Sequence, residues 1–231
     1  MIIRRKIWSF FKRMPRIWGE QSFALNKLDK KLAQYIDLKN GFFIEAGANN
    51  GINQSNTLYF ERYKGWRGLL IEPIPELAAE CKLNRPRAIV ENFALVSSEF
   101  AEDYVEMEYC NLMSVVRSGL NSLETQSHIE RGKRFLRENE QVYTINVPAM
   151  TLSEIINKHS ISRIDLLSLD VEGYEAQVLK GINFDLHRPE FILVEVREKN
   201  EIESIIGKIY EPIAILSITD NYSDTLYRRR R

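Results

Sequence analysis

Ile164-Asp-Leu-Leu-Ser-Leu-Asp-Val-Glu-Gly-Tyr-Glu175 is the stretch on which the reading of this chain turns. The apolar run over residues 164–169 has the length and composition of a buried strand. It ends in Asp170, and Glu172, Gly173 and Glu175 follow at once. A helical pattern then runs to Lys180-Gly181, where glycine stops it. Three carboxylates therefore stand at or just beyond the carboxyl end of a central strand. In open α/β sheets, ligands bind in the crevice at that end. Clustered carboxylates there call for a cation, or for a proton to share, because neighbouring like charges resist joint ionisation.

Strand and helix patterns alternate on both sides of this block. Upstream, residues 41–45 form a short apolar strand, followed by a Gly/Asn-rich turn and a helix through Leu58 and Phe60. Residues 67–71 form a second strand ending at Glu72-Pro73, and residues 75–83 a helix with Pro75 at its start. Residues 88–90 form a third strand ending at Glu91-Asn92. Thr151-Leu-Ser-Glu154 is a capping box that opens a helix over residues 151–158. Residues 189–196 form another strand, residues 202–206 a helix, and two terminal strands close the sheet. Residues 22–36 read as one helix before the first strand, with Leu25, Leu28, Leu32 and Tyr35 or Ile36 on one face. This alternation predicts βαβ units and a parallel sheet. Residues 100–143 differ. They are polar, with few apolar runs, and suit a lid or substrate insertion, before a short strand at residues 143–147.

A chain of 231 residues suits one α/β domain with a sizeable core. No run approaches the roughly 18 apolar residues of a spanning helix. Cys81 and Cys110 match no metal-ligand spacing and read as free thiols in a reducing compartment, which suggests the cytoplasm. Net charge is zero but unevenly spread. Residues 1–19 hold six basic side chains and no acid, and Arg228 to Arg231 are all basic. The body between these ends keeps 22 basic against 32 acidic residues. An acidic body argues against a nucleic-acid groove across the domain. On a helical wheel Ile3, Ile7, Phe10, Phe11, Met14 and Trp18 oppose Arg5, Lys6, Lys12, Arg13 and Arg16, and Pro15 ends or kinks the pattern. Residues 1–19 therefore either lie in a membrane interface, at the inner membrane surface, or pack on the domain with their basic side in water. The expected organisation is a basic amphipathic segment and helix over residues 1–40, then one domain over residues 41–231.

The first strand–helix turn reads Phe43-Ile-Glu-Ala-Gly-Ala-Asn-Asn-Gly51. Gly47 permits a sharp turn and a ligand lying against backbone. The G-x-G-x-x-G dinucleotide pattern is absent, and no basic side chain in the loop could hold a phosphate. Glu45 stands just before the glycine, which favours a ligand with cationic or hydroxyl groups. Glu72 ends the second strand where an acid that binds a ribose diol is expected, and Glu91-Asn92 could reach an adenine edge. A ribose diol, an adenine, an ammonium-carboxylate tail, a sulfonium and no phosphate together describe S-adenosylmethionine. The residues assigned to it are Glu45, Gly47, Asn49, Gly51, Glu72, Asn92 and Asp170.

Three blocks resemble the FkbM family of S-adenosylmethionine-dependent methyltransferases. They are the glycine turn over residues 43–51, Leu70-Ile-Glu-Pro73 with Glu91-Asn-Phe-Ala-Leu95, and the 164–175 block with Val178-Leu-Lys-Gly181 and Pro189-Glu-Phe-Ile-Leu-Val-Glu195. The resemblance spans roughly residues 41–196, in the family's order. It implies a class I, Rossmann-like methyltransferase fold: a mostly parallel seven-stranded sheet with helices on both faces. It also implies O-methylation of a hydroxyl on a sugar, glycan or natural product. Ser168 departs from it, standing where many relatives carry Lys.

Methyl transfer is an in-line displacement, so a base or a metal must take the proton of a weakly nucleophilic hydroxyl as it attacks. Asp170 and Glu172 lead as catalytic candidates, with Glu195 from the neighbouring strand. The same three carboxylates could instead hold a divalent cation. His128 and His187 are weaker base candidates. His159 reads as a helix cap, and Asp165 lies at the wrong end of its strand. Two other classes compete: a nucleotide-dependent oxidoreductase, which the missing phosphate donors disfavour, and a non-catalytic membrane-associated scaffold. The oligomeric state and the acceptor are not readable from the residues.

Overall fold

The computed structural model describes residues 19–110, 115–116, 130, 132–133, 136, 138 and 141–231. Residues 1–18, including most of the basic amphipathic segment, lie outside them, as does His128.

Strands β1 (Phe42–Ala46), β2 (Arg67–Ile71) and β3 (Ile89–Glu91) appear where the sequence places them. Strands β4 (Ala94–Val96), β5 (Tyr104–Tyr109), β6 (Val115–Val116) and β7 (Tyr143–Thr151) build a second sheet. Strands β8 (Leu166–Leu169), β9 (Phe191–Val196), β10 (Tyr210–Ile218) and β11 (Ser223–Arg229) complete the first. The main sheet has seven strands in the order β10-β11-β9-β8-β1-β2-β3. β11 alone runs against its neighbours β9 and β10. This is the mostly parallel seven-stranded α/β sheet that the family resemblance implies.

The sheet is sandwiched because its strands are apolar on both faces, as buried parallel strands must be. Ile44, Ala46, Leu69, Ile71, Leu167, Leu169, Ile192 and Val194 pack against α4 (Leu152–Lys158), α5 (Glu175–Lys180) and α6 (Lys199–Ile206). Their alternate neighbours Phe43, Leu70, Leu166 and Leu193 face α1 (Leu28–Leu32), α2 (Leu58–Lys64) and α3 (Pro75–Asn84). The period-two alternation decides which polar residues share a face. Glu45, Ser168 and Glu195 fall on the α1–α3 side, and Asn56 Nδ2 donates to Ser168 Oγ at 3.1 Å. The capping box of α4 is present, with Thr151 and Glu154 bonding reciprocally.

Two expectations need correction. Residues 22–36 do not form one helix: Asn26 and Lys27 take left-handed φ values of 50° and 57°, and the α-helix is only Leu28–Leu32. The cause is Asp29. Its buried carboxylate accepts from Ser22 Oγ and from the backbone N–H groups of Phe23 and Ala24, folding the preceding segment back over the helix start. Leu28, Leu32 and Ile36 are buried as expected, but Leu25 and Tyr35 are exposed. The polar insertion, in turn, is not devoid of regular structure. Val105, Met107 and Tyr109 are buried while Glu106 and Glu108 point outward, and β5 pairs antiparallel with β7. The acidic outer face hides a strand alternation. The basic C-terminal tail also has a structural place: Arg228 and Arg229 lie in β11, with ion pairs to Glu211 and Glu190.

Candidate active site

The strand order reverses between β1 and β8: the chain winds outward to β2 and β3 on one side and to β9 on the other. At such a switch point the loops diverge and leave a crevice. The loops after β1 and β8 meet there so closely that a Cβ on Gly47 would lie 1.8 Å from the Asp170 carbonyl oxygen. Gly47 also takes φ +82°, so both sterics and conformation demand glycine.

The resulting pocket encloses about 860 Å³ between the loops, open solvent at its mouth included. One wall is Gly47, Asn49 and residues 53–55; another is Ile71-Glu72-Pro73 with Phe93 and Leu95; the third is Asp170, Val171, Glu172 and Tyr174, with Met107 reaching over from the second sheet. No Lys, Arg or His is among these lining residues. A pyrophosphate would find no cationic partner here, whereas a ligand offering hydroxyl and cationic groups meets carboxylates.

Glu72 is 5% exposed and accepts the backbone N–H groups of Asn49 at 2.8 Å and Ile74 at 3.0 Å. Burial outweighs these bonds and pushes its pKa up to about 8. Each oxygen keeps a second lone pair for a ligand hydroxyl. Asn92 does not face the pocket as an adenine reader. Its amide donates to the carbonyls of Glu72 and Pro73, bracing the loop that carries Glu72. Glu91 turns toward Lys158 at 2.7 Å and toward His159, away from the pocket. The apolar side chains Ile71, Pro73, Phe93 and Leu95 offer the surface an adenine ring needs. They carry no binding signal in the sequence, because apolar residues after a strand look like core.

Glu45 does not line the pocket either. Its oxygens accept from Ser55 Oγ at 2.9 Å, Asn56 N at 2.7 Å and Thr57 Oγ1 at 2.6 Å. Arg85, 1% exposed, pairs with Glu61 at 2.7 Å and donates to the Gly51 carbonyl at 2.9 Å and to Ser55. Glu45 and Arg85 thus anchor the loop whose residues 53–55 form the pocket wall. Gly51, at φ +80°, faces this arginine rather than the pocket; a Cβ there would meet Arg85 Cγ at 2.9 Å. Asn49 lines the pocket as the sequence suggested, held at φ 47° by its bond to Glu72.

Beyond Asp170 lies an acid cluster. Burial raises Asp170 to about 6, partly offset by Arg197. Glu175 accepts the N–H groups of Val171 and Gly173, and burial pushes it up to about 7. Glu195 is raised by burial and by its neighbours Asp170 and Glu172. Oxygens of Asp170, Glu175 and Glu195 lie within 4.8 Å of one another. The cation-binding set expected from the sequence, Asp170, Glu172 and Glu195, is therefore amended: Glu175 takes the place of Glu172. Glu172, at φ 56°, instead pairs with Arg197 at 3.1 Å. Arg197, just beyond β9, carries no motif in the sequence; nor does Asp224, paired in register with Glu195 and raised by burial to about 6. His187 lies at the opposite end of the sheet, in a hollow with Asp165 and Arg229, and is no base for this site.

Residues 45–218 match the family described as Methyltransferase FkbM domain. A curated relative, Methyltransferase sdnD of Sordaria araneosa, is 29% identical over 192 residues, covering 74% of this chain and 72% of that protein. Among solved structures, a TehB-like SAM-dependent methyltransferase from Corynebacterium glutamicum aligns over 98% of this chain and 96% of its own, at 12% identity and a TM-score of 0.44. M. capricolum TrmK in complex with S-adenosyl-homocysteine aligns over 91% and 69%, at 9% identity and a TM-score of 0.47. Likeness at this level carries no weight beside the strand order itself.

Proposed function

This chain belongs to the FkbM methyltransferase family, and we propose that it moves the methyl group of S-adenosylmethionine onto a hydroxyl oxygen of a sugar, glycan or natural product. The observation that carries this reading is the pocket at the switch point, lined by Glu72, Asp170 and Glu172 with no basic side chain. Glu72 is placed to accept the ribose hydroxyls, and Ile71, Pro73, Phe93 and Leu95 to flank the adenine. The Gly47 turn and Asp170 receive the aminoacyl end. The cofactor supplies an electrophilic methyl on sulfur. The protein must align the acceptor oxygen with it and take the hydroxyl proton. Asp170 has the position for that base, at the pocket wall and beside the acid cluster. With the cofactor bound, the acceptor oxygen would take the methyl from sulfur while the Asp170 carboxylate took the hydroxyl proton. Glu172 lines the acceptor side, and the buried Glu195 stands behind it.

A nucleotide-dependent oxidoreductase is disfavoured by the missing G-x-G-x-x-G pattern and by the absence of any basic side chain among the lining residues. No helix of the described residues is long and apolar enough to cross a membrane. The basic amphipathic segment over residues 1–19 favours peripheral contact with the inner membrane surface of the cytoplasm. A lipid-linked glycan there is then a natural acceptor class, and nucleic acid is not. Two measurements test the reading. Calorimetry must find S-adenosylhomocysteine binding and no NADH binding. A mass-shift screen of hydroxylated acceptors must find a product heavier by one methylene. NADH binding without S-adenosylhomocysteine binding would sink it.

A further inference from the structure

The acid cluster beside the pocket has a cation of its own. Arg197 Nη2 lies 2.7 Å from Glu195 Oε1 and 3.1 Å from Glu172 Oε2. The Glu195 contact is close but not aligned as a hydrogen bond, so it acts as an ion pair. Glu195 is 6% exposed, and its oxygens belong to the Asp170–Glu175–Glu195 group that could otherwise ligate a metal. The Tyr222 ring lies 5.9 Å from the guanidinium carbon on a neighbouring strand turn. Carboxylates of Asp170, Glu172, Glu175 and Glu195 all act on Arg197 or feel its charge. A divalent ion ligated by Glu195 at about 2.0–2.6 Å would share that carboxylate with a guanidinium already in contact with it. The two cations would repel each other across that one carboxylate, so the ion and the guanidinium compete for it.

We propose that Arg197 fills the cation position of this cluster: its guanidinium, in place of a divalent ion, holds Glu172 and Glu195 in register beside Asp170. This rests on reading the cluster as the acceptor-side wall of the methyl-transfer site. Arg197 is then a positioning residue. A single guanidinium nitrogen, Nη2, touches two carboxylates from different elements at once, Glu172 from the loop after β8 and Glu195 from β9. The ion pair also keeps Glu172 in its left-handed conformation, which a non-glycine residue otherwise avoids. The transfer reaction is accordingly insensitive to chelators.

The test is titration of MnCl₂ into the full-length wild type, Arg197→Met and Arg197→Lys, with binding of 5′-methylthioadenosine measured in each as a report on the Glu72 end. Wild type and Arg197→Lys should bind no stoichiometric ion at up to about 1 mM, and Arg197→Met should gain a site at least about tenfold tighter. Adding Glu195→Gln to Arg197→Met should remove that site. A purely structural arginine would not create an ion site when lost. The proposal is overturned if wild type binds one Mn²⁺ and Glu175→Gln abolishes it, or if folded Arg197→Met gains no site. Should Arg197→Met fail to fold, the other two proteins decide: ion binding by either that Glu175→Gln abolishes overturns the proposal, and the absence of such binding from both supports it. Failure of wild type to bind 5′-methylthioadenosine counts against the cofactor reading alone, since the ion titration does not depend on it.

Discussion

Replacing Glu72 with Gln separates the charge of this residue from its shape. The carboxylate is buried, accepts two backbone N–H groups, and has its pKa pushed up from 4.5 to about 8 by burial. At pH 6.5 only about one wild-type molecule in thirty then carries the ionised form that best accepts ribose hydroxyls. An affinity that depends on the ionised fraction rises as that fraction does. Affinity for 5′-methylthioadenosine, which has the ribose and adenine but no ionisable tail, should therefore climb about 16-fold between pH 6.5 and 8, where half the molecules are ionised. Binding should release a proton. Stability should show the opposite trend. In the window from 4.5 to 8 the folded state holds a proton that the unfolded state has lost, so stability falls as pH rises, by at most about 5 kcal/mol. In Glu72→Gln the amide nitrogen faces one of the two N–H donors and strands it, at about 1–3 kcal/mol. The variant should thus be less stable than wild type at pH 5, recover relative to it by pH 9, and bind the ligand weakly with no pH slope. Calorimetry from pH 6.5 to 8 and urea unfolding at pH 5, 7 and 9 measure both. A flat wild-type affinity, or a Gln variant that keeps the wild-type slope, would refute the reasoning.

Asp170→Asn should lose turnover by about 10²–10⁴-fold while binding 5′-methylthioadenosine, which lacks the aminoacyl end, almost as wild type does. Wild-type turnover should fall as pH drops through about 6, because the base must be ionised. Arg85→Met strands the buried Glu61 and weakens the hold on Glu45, and should cost about 3–5 kcal/mol in urea unfolding; a change below 1 kcal/mol would show that the ion pair has no structural weight. Gly47→Ala forces the Asp170 backbone away from a contact that starts at 1.8 Å. Calorimetry should show cofactor affinity falling by at least about tenfold, with a stability loss of about 1–3 kcal/mol. Deleting residues 1–19 should abolish sedimentation with anionic vesicles and leave activity on a soluble acceptor intact; vesicle binding that survives the deletion excludes this segment as the anchor.

The main sheet and the location of the pocket were readable from the chain. Strand runs at residues 41–45, 67–71 and 164–169 carry period and length signals that survive folding, because a strand buried on both faces has few alternatives. Asp170, Glu72 and Gly47 were equally readable, since each closes a strand and strand ends converge at a switch point. The early helix was misread because Asp29 offered its carboxylate to the backbone, a local competition that apolar spacing does not register. β5 was missed because its outward residues are acidic and mask the alternation of Val105, Met107 and Tyr109.

What the chain determined alone is the set of groups delivered to the carboxyl edge of the sheet, because period-two geometry and strand length are local properties. Which groups face the ligand was decided only in three dimensions. Glu45 and Asn92 ended strands as Glu72 and Asp170 do, yet Glu45 is consumed by Ser55, Asn56 and Thr57, and Asn92 by two carbonyls. Arg197 carries no motif, but tertiary packing sets it between two acids from different elements. A hydrogen bond or ion pair depends on distances between residues far apart in sequence, and no local pattern encodes those.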